Sequence, residues 1–376
     1  MEFIKKKILR IMTTGTTTGC TPCNIIIPDT GVTYNFKICL KCESHDFGFF
    51  DTYEFSTVPI TTTTTTINPI ITTTTTNIPI STTTTTNPQT IYAQYVVLIS
   101  MDGARFSETW ETPSNIPNII SIANNGFVNT NFYTIEPSST IPGHTAMVTG
   151  LFDPTVLNDG SVNPTYPSYL QEWLYSENIL SNNIIGFTNK AKIIFSKDKL
   201  YCLGKSKSNL NDYLPYINAG VNGDGTGGYR ADSLTHELFK IECLGVNPPN
   251  LSVISYAEPD TYAHNSDWNG YVDAIQQTDS YIGEIWSLIQ SHPLMANNTI
   301  LVITNDHGRK TPDFENHGGS TDSECHVLFV GIGPNINNGV TNIYRELIDI
   351  PITLLKLINV NKIYNSGSIM NEMLNL

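Results

Sequence analysis

Residues 56–90 carry a threonine-rich repeat with a period of ten residues, marked by the pairs Pro59-Ile60, Pro69-Ile70 and Pro79-Ile80. Such a tract has no apolar face to bury, and its prolines and β-branched residues favour an extended chain. No single core can therefore span the chain. We expect a Cys-rich arm at residues 1–55, a Thr/Pro-rich linker at 56–92 and a larger domain at 93–376.

The larger domain alternates between short apolar runs and segments with helical periodicity. Apolar, β-branched runs predict buried strands at residues 95–100, 184–187, 251–256 and 301–304. Helices are expected at residues 117–126, 168–175, 231–243 and 271–291, the first starting at a proline and stopping at a glycine. This alternation predicts an α/β fold with a doubly wound, mostly parallel sheet and helices on both faces.

Acidic and imidazole side chains follow three of the predicted strands. Because the carboxyl ends of parallel strands meet at one edge, where open α/β sheets bind ligands, we expect these side chains to converge. Carboxylates and imidazoles suit zinc, and six of them are about what two ions need when each keeps a position for substrate. The six candidates are Asp102, Asp260, His264, Asp306, His307 and His317. For the Asp306-His307 pair alone, a solvated loop with a capping aspartate is the alternative.

A nucleophile is offered by the hydroxyls of Ser138, Ser139 and Thr140, just before Pro142. Proline suits the first turn of a helix, so a hydroxyl upstream of it would lie at the positive end of the helix dipole, where a phosphate is stabilised. Metal coordination would lower the pKa of that hydroxyl and activate it. An ordinary Ser/Thr N-cap is the alternative.

Taken together, the motifs resemble the alkaline phosphatase superfamily and, within it, the type I phosphodiesterase/nucleotide pyrophosphatase family. The resemblance covers roughly residues 93–376. In chain order its motifs are Asp102-Gly103-Ala104-Arg105, Thr140-Ile141-Pro142-Gly143-His144, Glu258-Pro259-Asp260-x3-His264, and Asn305-Asp306-His307-Gly308 followed by His317-Gly318-Gly319.

The resemblance implies a two-metal hydrolase of phosphoric esters that acts on a small phosphoester or nucleotide. The ions would be two Zn²⁺, with Mn²⁺ or another divalent ion as substitutes. Thr140 would attack phosphorus and form a phosphothreonine intermediate that water then hydrolyses. One ion would be surrounded by Asp102, Thr140, Asp306 and His307, and the other by Asp260, His264 and His317. His144 is expected to pack or to form local hydrogen bonds.

The match departs from the phosphodiesterase family at Gly143, where an asparagine that helps to hold phosphate is usual. The form Thr-x-x-Gly-His is similar to a monoesterase branch of the superfamily, whose members bind the doubly charged phosphate with nearby Lys and Arg. Lys190 and Lys192 are candidates for that role, with plain solvated lysines as the alternative. Diester hydrolysis is the preferred interpretation and monoester hydrolysis the alternative. The sequence has no Cys-x-Pro-x-Arg motif of the kind that sulfatases use.

The net charge and the apolar runs limit which partners this chain can have. The 376 residues carry a formal net charge of −14, which argues against general nucleic-acid binding and leaves an anionic substrate to be held by metal. No run approaches the roughly 18 apolar residues of a membrane span, and the Lys-containing start has too short an apolar part for a standard signal peptide. The threonine tract would nevertheless suit a surface stalk. A rival function is therefore a non-catalytic interaction protein with a hydrolase-like domain.

The Cys-rich arm contains Cys20-x2-Cys23, then fifteen residues, then Cys39-x2-Cys42. This spacing is typical of a zinc ribbon, in which two knuckles offer four thiolates to one structural ion. Disulfides in an exported protein are the alternative. Cys202, Cys243 and Cys325 lie singly in the later region, and we expect each to be a small buried hydrophobe.

Overall fold

The structure is a computed structural model that describes residues 93–180 and 190–375, together with the backbone of three strands near the N terminus. The chain divides into two units, Met1–Thr83 and Thr84–Leu376. In the first unit, β1 (Cys20–Ile26), β2 (Thr33–Cys39) and β3 (Phe55–Ser56) form an antiparallel sheet that places Cys20 opposite Cys39. The cysteine side chains of the predicted zinc knuckle and nearly all of the predicted linker lie outside the described residues.

Eight strands of the second unit form one sheet, and two more form a small ribbon. The strands are β4 (Tyr95–Met101), β5 (Phe127–Asn129), β6 (Phe132–Tyr133), β7 (Ala191–Phe195), β8 (Tyr216–Ala219), β9 (Leu251–Tyr256), β10 (Thr299–Thr304), β11 (Phe329–Ile332), β12 (Gly339–Thr341) and β13 (Arg345–Glu346). The sheet order is β12-β5-β11-β10-β4-β9-β7-β8, while β6 pairs with β13. Among these described strands, β11 alone runs antiparallel to its sheet neighbours.

Apart from the last one, the α-helices that the structure describes in this unit lie between strands, as the sequence predicts. They are α1 (Pro117–Ala123), α2 (Thr140–Thr149), α3 (Tyr169–Ser176), α4 (Asp232–Cys243), α5 (Glu258–His264), α6 (Trp268–Ser291), α7 (Asp322–Cys325) and α8 (Asp349–Leu357). The α/β fold with a mostly parallel sheet is confirmed. The strand predicted at residues 184–187 falls outside the described residues.

The sheet is buried on both faces because alternate residues of its central strands enter two separate cores. In β4, Val96 and Leu98 pack on the face covered by α2, α3 and α8, whereas Val97 and Ile99 pack on the face covered by α1, α4, α5 and α6. Continuous apolar runs are what a parallel sheet covered on both sides requires. None of the described helices is both long and apolar enough to cross a membrane.

The three later cysteines are confirmed as buried thiols. Cys202, Cys243 and Cys325 are all free and buried. Burial raises the pKa of Cys202 and of Cys325 to about 11 and that of Cys243 to about 12. These thiols therefore stay protonated and unreactive at neutral pH.

The parallel register brings the ends of four strands to one edge of the sheet. Ser100 of β4 lies opposite Thr304 of β10 and Ser255 of β9, and Ser255 also lies opposite Phe195 of β7. The residues that follow these strands are thus neighbours in space, although they are up to two hundred positions apart in sequence.

Candidate active site

The first group of ligand-type side chains consists of Asp102, Asp306 and His307, whose donor atoms all lie within 4.8 Å of one another. The Nε2 atom of His307 is 3.4 Å from Asp102 Oδ1 and 3.4 Å from Asp306 Oδ2. All three residues are fully buried. Asp306 is held from its other oxygen, Oδ1, which accepts hydrogen bonds from the backbone N–H groups of Gly103 and of His307 at 3.0 and 2.9 Å.

Thr140 places its hydroxyl against this group. It is the first residue of α2, and its Oγ1 lies 3.2 Å from His307 Nε2 and 3.4 Å from Asp102 Oδ1. Ser139 occupies the N-cap position, where its side chain makes no capping hydrogen bond within the described structure. The Thr140 hydroxyl therefore faces ligand-type side chains instead of serving as an ordinary cap. The next amide along, Ile141 N, donates to Oδ1 of the exposed Asn158 at 2.9 Å.

The second group is built around Asp260, His264 and His317. Asp260 and His264 lie four residues apart in α5, which brings their side chains to one face of the helix. The Nε2 atoms of His264 and His317 are 3.0 Å apart, and each lies within 3.5 Å of Asp260 Oδ1. His307 connects the two groups, since its ring stacks on His317 with the centroids 3.9 Å apart. All seven residues that the resemblance implies as metal ligands are thus together.

Backbone carbonyls select which ring nitrogen of two histidines faces the site. His307 Nδ1 lies 2.8 Å from the carbonyl oxygen of Gly308, and His317 Nδ1 lies 3.0 Å from that of Ser138. A carbonyl oxygen can only accept, so each Nδ1 carries a hydrogen, and in the neutral ring each Nε2 presents a lone pair to the site. Metal-ligating histidines are commonly oriented in this way.

Two cations that were not predicted from the sequence lie among the carboxylates, and they are the partly buried Lys197 and the fully buried Arg309. The Lys197 ammonium is 2.6 Å from Asp102 Oδ2 and 2.8 Å from Asp260 Oδ2, so it joins the two groups. Arg309 is fully buried and pairs with the Asp260 carboxylate, while it also donates to the Asp260 carbonyl oxygen at 3.0 Å. The sequence feature that could have indicated Lys197 is its position two residues after the end of β7, a strand that ends at this edge of the sheet.

Lys190 and Lys192 are not brought to the site, contrary to the expectation from the sequence. Lys192 lies near the amino end of β7, where its ammonium is 3.4 Å from Glu242 and 5.1 Å from the ring centroid of Tyr216. Lys190 precedes β7, and its carbonyl oxygen accepts from the first residue of β9. Both lysines are therefore at the opposite end of the parallel strands from the ligand groups. The lysine that reaches the carboxylates is Lys197.

Gly143 has a packing explanation that is independent of substrate. A Cβ atom at this position would clash with the Asp306 carbonyl oxygen and would lie 3.2 Å from Asp306 Cβ. The helix α2 can approach the Asp306 loop this closely only because position 143 has no side chain. An asparagine here would displace a candidate metal ligand.

His144 holds the same loop from the other side. Its Nδ1 lies 3.2 Å from Asp306 Oδ2 and 2.8 Å from the Thr140 carbonyl oxygen, and its Nε2 lies 2.9 Å from Ser255 Oγ. These contacts are local and buried, as expected from the sequence. His144 thus links the residue that carries the nucleophilic hydroxyl to a candidate ligand.

Electrostatics within the site differ sharply between the two central histidines. Burial alone would raise the pKa of Asp102, yet Lys197 and then His307 hold it well below its ordinary range. Burial opposes protonation of His307, but the carboxylates of Asp306 and Asp102 raise its pKa to about 9. Burial, reinforced by repulsion from His307, lowers the pKa of His317 to about 3. His317 is therefore neutral, while His307 must release a proton before it can bind a metal ion.

The residues fit divalent metal ions. Carboxylate oxygens and imidazole nitrogens are ligands for zinc and similar ions, and the Nε2 atoms of both histidines face inward. Asp306 Oδ2 is buried and makes no well-aligned hydrogen bond among the described residues, although His144 Nδ1 and His307 Nε2 lie 3.2 and 3.4 Å away. A buried carboxylate oxygen in this position is stabilised by a nearby cation.

Two family models match parts of the chain. Residues 240–362 match the metalloenzyme superfamily, and residues 96–155 match type I phosphodiesterase/nucleotide pyrophosphatase. The first region contains the candidate ligands Asp260 to His317, and the second contains Asp102 and Thr140.

Two kinds of protein are similar to this chain in sequence. The 2,3-bisphosphoglycerate-independent phosphoglycerate mutase of Gracilaria tenuistipitata var. liui is 33% identical over 124 residues, which are 32% of this chain and 23% of the relative. The ectonucleotide pyrophosphatase/phosphodiesterase family member 3 of Mus musculus is 25% identical over 228 residues, which are 57% of this chain and 24% of the relative. The chain thus spans about a quarter of the length of these relatives.

Solved structures share the fold at low identity. Human ectonucleotide pyrophosphatase/phosphodiesterase 5 is similar with a TM-score of 0.56 at 16% identity, covering 75% of this chain and 100% of that one. The alkaline phosphatase PafA is similar with a TM-score of 0.53 at 11% identity, and the match covers 75% of this chain and 99% of that one. An inactive threonine-to-alanine variant of the murine ectonucleotide pyrophosphatase/phosphodiesterase 5, in complex with AMP, is similar with a TM-score of 0.54 at 15% identity, and the match covers 73% of this chain and 97% of that one.

The fold and the two family models define the class. The chain has the fold of the alkaline phosphatase superfamily, with groups of metal-binding side chains at the carboxyl edge of its sheet. Within that superfamily, the resemblance to type I phosphodiesterases/nucleotide pyrophosphatases is confirmed.

Proposed function

We propose that this protein is a metal-dependent hydrolase of phosphodiesters, including nucleotide pyrophosphates, that acts through a covalent phosphothreonine intermediate. The observation that carries the proposal is the position of the Thr140 hydroxyl, 3.2 Å from His307 Nε2 and 3.4 Å from Asp102 Oδ1 at the start of a buried helix. The nucleotide substrate is supported by the murine relative whose solved complex contains AMP.

The metal ions would be held by the two groups of side chains. One ion would lie among Asp102, Thr140, Asp306 and His307, and the other among Asp260, His264 and His317. When bound, divalent ions supply Lewis-acid stabilisation of the charge that develops on the phosphoryl, attacking and leaving oxygens. We assign two Zn²⁺, with Mn²⁺ as the alternative that the same oxygen and nitrogen donors accept.

The chain's own residues supply the nucleophile and much of the positioning. Thr140 Oγ1 forms the new bond to phosphorus as the bond to the leaving oxygen breaks, and the hydroxyl proton of Thr140 passes to solvent, from which the leaving oxygen takes up a proton. Water then adds to phosphorus, breaks the threonine ester and returns a proton to Oγ1. Thr140 starts α2, so the backbone N–H groups and the dipole of that helix favour negative charge at the reacting centre. At the same helix end, the side-chain oxygen of Asn158 accepts a hydrogen bond from Ile141 N.

Lys197 favours a second candidate, hydrolysis of phosphomonoesters by the same centre. A monoester carries one more negative charge than a diester, and the partly buried Lys197 ammonium shared by Asp102 and Asp260 could meet that charge. If Lys197 has this role, Lys197→Met lowers monoester hydrolysis at least tenfold more than diester hydrolysis. Lys192→Met is the matched control, because Lys192 lies at the other end of the same strand. Equal losses on both substrates would remove this reason for the monoesterase candidate.

The proposed function is tested by comparing bis-p-nitrophenyl phosphate with p-nitrophenyl phosphate, with Zn²⁺ or Mn²⁺ added, for the wild type, Thr140→Ala and Thr140→Ser. Dominant diester cleavage that is lost in Thr140→Ala and partly kept in Thr140→Ser supports the proposal. Dominant monoester cleavage supports the second candidate. Activity that survives Thr140→Ala refutes the nucleophile. A protein that binds metal yet cleaves neither ester would support the non-catalytic interaction protein.

The domain organisation and the N-terminal cysteines are part of the proposal. We assign residues 1–55 to a Cys-rich arm, 56–92 to a linker and 93–376 to the hydrolase, with a third, structural zinc ion in the arm. Its proposed ligands are Cys20, Cys23, Cys39 and Cys42. Replacing all four with serine should lower bound zinc by one ion per chain and leave ester hydrolysis intact. Unchanged zinc content would rule out this site, and thiol counting under denaturing, non-reducing conditions would reveal disulfides instead.

A further inference from the structure

The first residues of α4 and α5 bind each other through reciprocal hydrogen bonds. Asp232 begins α4 and Glu258 begins α5. Glu258 N donates to Asp232 Oδ2 at 2.8 Å, and Asp232 N donates to Glu258 Oε1 at 3.1 Å. Ala257 N adds a third bond, to Asp232 Oδ1, at 2.9 Å. Each carboxylate therefore caps the N-terminus of the other residue's helix, where unpaired N–H groups and the helix dipole favour negative charge.

Two hydroxyl groups extend this contact to neighbouring loops. Ser196 Oγ donates to Asp232 Oδ1 at 2.5 Å, and Tyr229 Oη donates to Glu258 Oε1 at 2.8 Å. Ser196 directly follows β7 and directly precedes Lys197. We call Ser196, Tyr229, Asp232 and Glu258 the clamp. Asp232 is its centre: it is fully buried, and it joins the loop after β7 to the loop after β9.

Both loops held by the clamp lead into the candidate active site. The helix that starts at Glu258 carries Asp260 and His264. The loop that contains Ser196 carries Lys197, whose ammonium lies 2.8 Å from Asp260 Oδ2. Functional side chains need to be held within roughly 0.5 Å of their working geometry, and partners behind them commonly supply that precision.

We propose that Asp232, together with Glu258, is a positioning residue that fixes α5 against the Lys197 loop and so sets the geometry of the second metal-binding group. This inference rests on the proposed function only in taking Asp260 and His264 as metal ligands. Asp232 acts through its hydrogen bonds to Ser196, Ala257 and Glu258, and it does not touch substrate.

The chain provides a matched control at another helix start. Asp279 is also buried, and its carboxylate accepts from the N–H groups of Asn118 and Ile119 at 3.0 and 2.8 Å. The helix that it caps, α1, carries none of the candidate ligands. Asp279→Asn therefore removes a buried capping carboxylate of the same kind without disturbing the loops of the site.

The experiment compares Asp232→Asn with Asp279→Asn by zinc competition against a chromogenic chelator. Asp232→Asn turns an amide N–H towards backbone N–H groups that need an acceptor. We expect the Kd for the zinc ion at Asp260, His264 and His317 to rise about 10- to 100-fold, the range found when partners behind metal ligands are removed. Asp279→Asn should lower the Tm to a similar extent but leave that Kd within about twofold. Hydrogen exchange at Ala257 and Glu258 should accelerate in Asp232→Asn and not in Asp279→Asn.

Each outcome decides the proposal. Equal zinc affinity in the two variants would overturn it, because the clamp would then be merely structural. If Asp232→Asn fails to fold, Ser196→Ala and Tyr229→Phe each remove one hydroxyl of the clamp. At least one should weaken the second zinc ion several-fold, and wild-type affinity in both would overturn the proposal. Wild-type protein that binds zinc but cleaves no ester would contradict the proposed function alone, because the zinc comparison still tests the clamp. Wild-type protein that binds no zinc would overturn both.

Discussion

Removal of metal should make the protein's stability fall as pH rises from about 6.5 to about 9. In the metal-free state, His307 is fully buried, and the Asp306 and Asp102 carboxylates overcome the cost of burial to raise its pKa from 6.5 to about 9. A pKa that is raised on folding contributes stability that is complete below the unfolded pKa and is lost as pH rises through the folded pKa. At 1.36 kcal/mol for each pH unit, the proton on His307 contributes about 3 kcal/mol. The pKa of His144 is raised as well, chiefly by Asp306 against burial, so it changes stability in the same direction.

Urea unfolding followed by tryptophan fluorescence measures this effect. The free energy of unfolding of chelator-treated protein should be about 2 kcal/mol lower at about pH 9 than at about pH 7, an interval in which histidines whose pKa is lowered by burial, such as His317, contribute little. Zinc should stabilise the protein increasingly over the same interval, since the ion takes the place of the proton on His307. His307→Gln, also metal-free, should lose most of the slope. A flat or rising stability for the metal-free wild type would refute the assignment of His307 between two anionic carboxylates.

Three further predictions follow from packing and charge. Glu172→Gln should lower the free energy of unfolding by about 3–5 kcal/mol in urea denaturation, because it leaves the Lys362 ammonium, 2.8 Å away and equally buried, without a counter-charge. Combining Glu172→Leu with Lys362→Met should recover most of that loss, and no recovery would refute the charge argument. Gly143→Ala should cost about 1–3 kcal/mol and weaken zinc binding in chelator competition, because its Cβ would meet the Asp306 carbonyl oxygen; unchanged zinc affinity would contradict this. Lys192→Met should leave ester hydrolysis unchanged, because Lys192 lies far from the ligand groups. A large loss of activity would contradict the placement of Lys192 outside the active site.

The fold and the ligand groups were predictable because their signals are local. The central strands are mostly apolar, and each is followed within four residues by an Asp, in two cases with a nearby His. The parallel arrangement then brings Asp102, Asp260 and Asp306 together without further information. Thr140 followed from the proline in the first turn of its helix and from the resemblance. In these cases a short stretch of chain fixes both the element and the residue at its end.

The rest depends on contacts between distant positions. Lys197 was missed because a strand was placed at residues 184–187, which made Lys190 and Lys192 seem to follow a strand, whereas β7 ends at Phe195 and Lys197 comes next. Arg309 reaches Asp260 across the site from a neighbouring loop. The pairing of Asp232 with Glu258 joins two helix starts, and no spacing in the sequence indicates it. Such contacts follow from the way the sheet assembles the loops.

Phosphoryl transfer to Thr140 during turnover can be detected by acid quenching during hydrolysis of a phosphodiester, followed by peptide mass spectrometry. Phosphate should be esterified to the peptide that contains Thr140, and it should be absent without substrate and absent in Thr140→Ala. Steady turnover with no phosphate on that peptide, or with phosphate on another residue, would contradict transfer to Thr140.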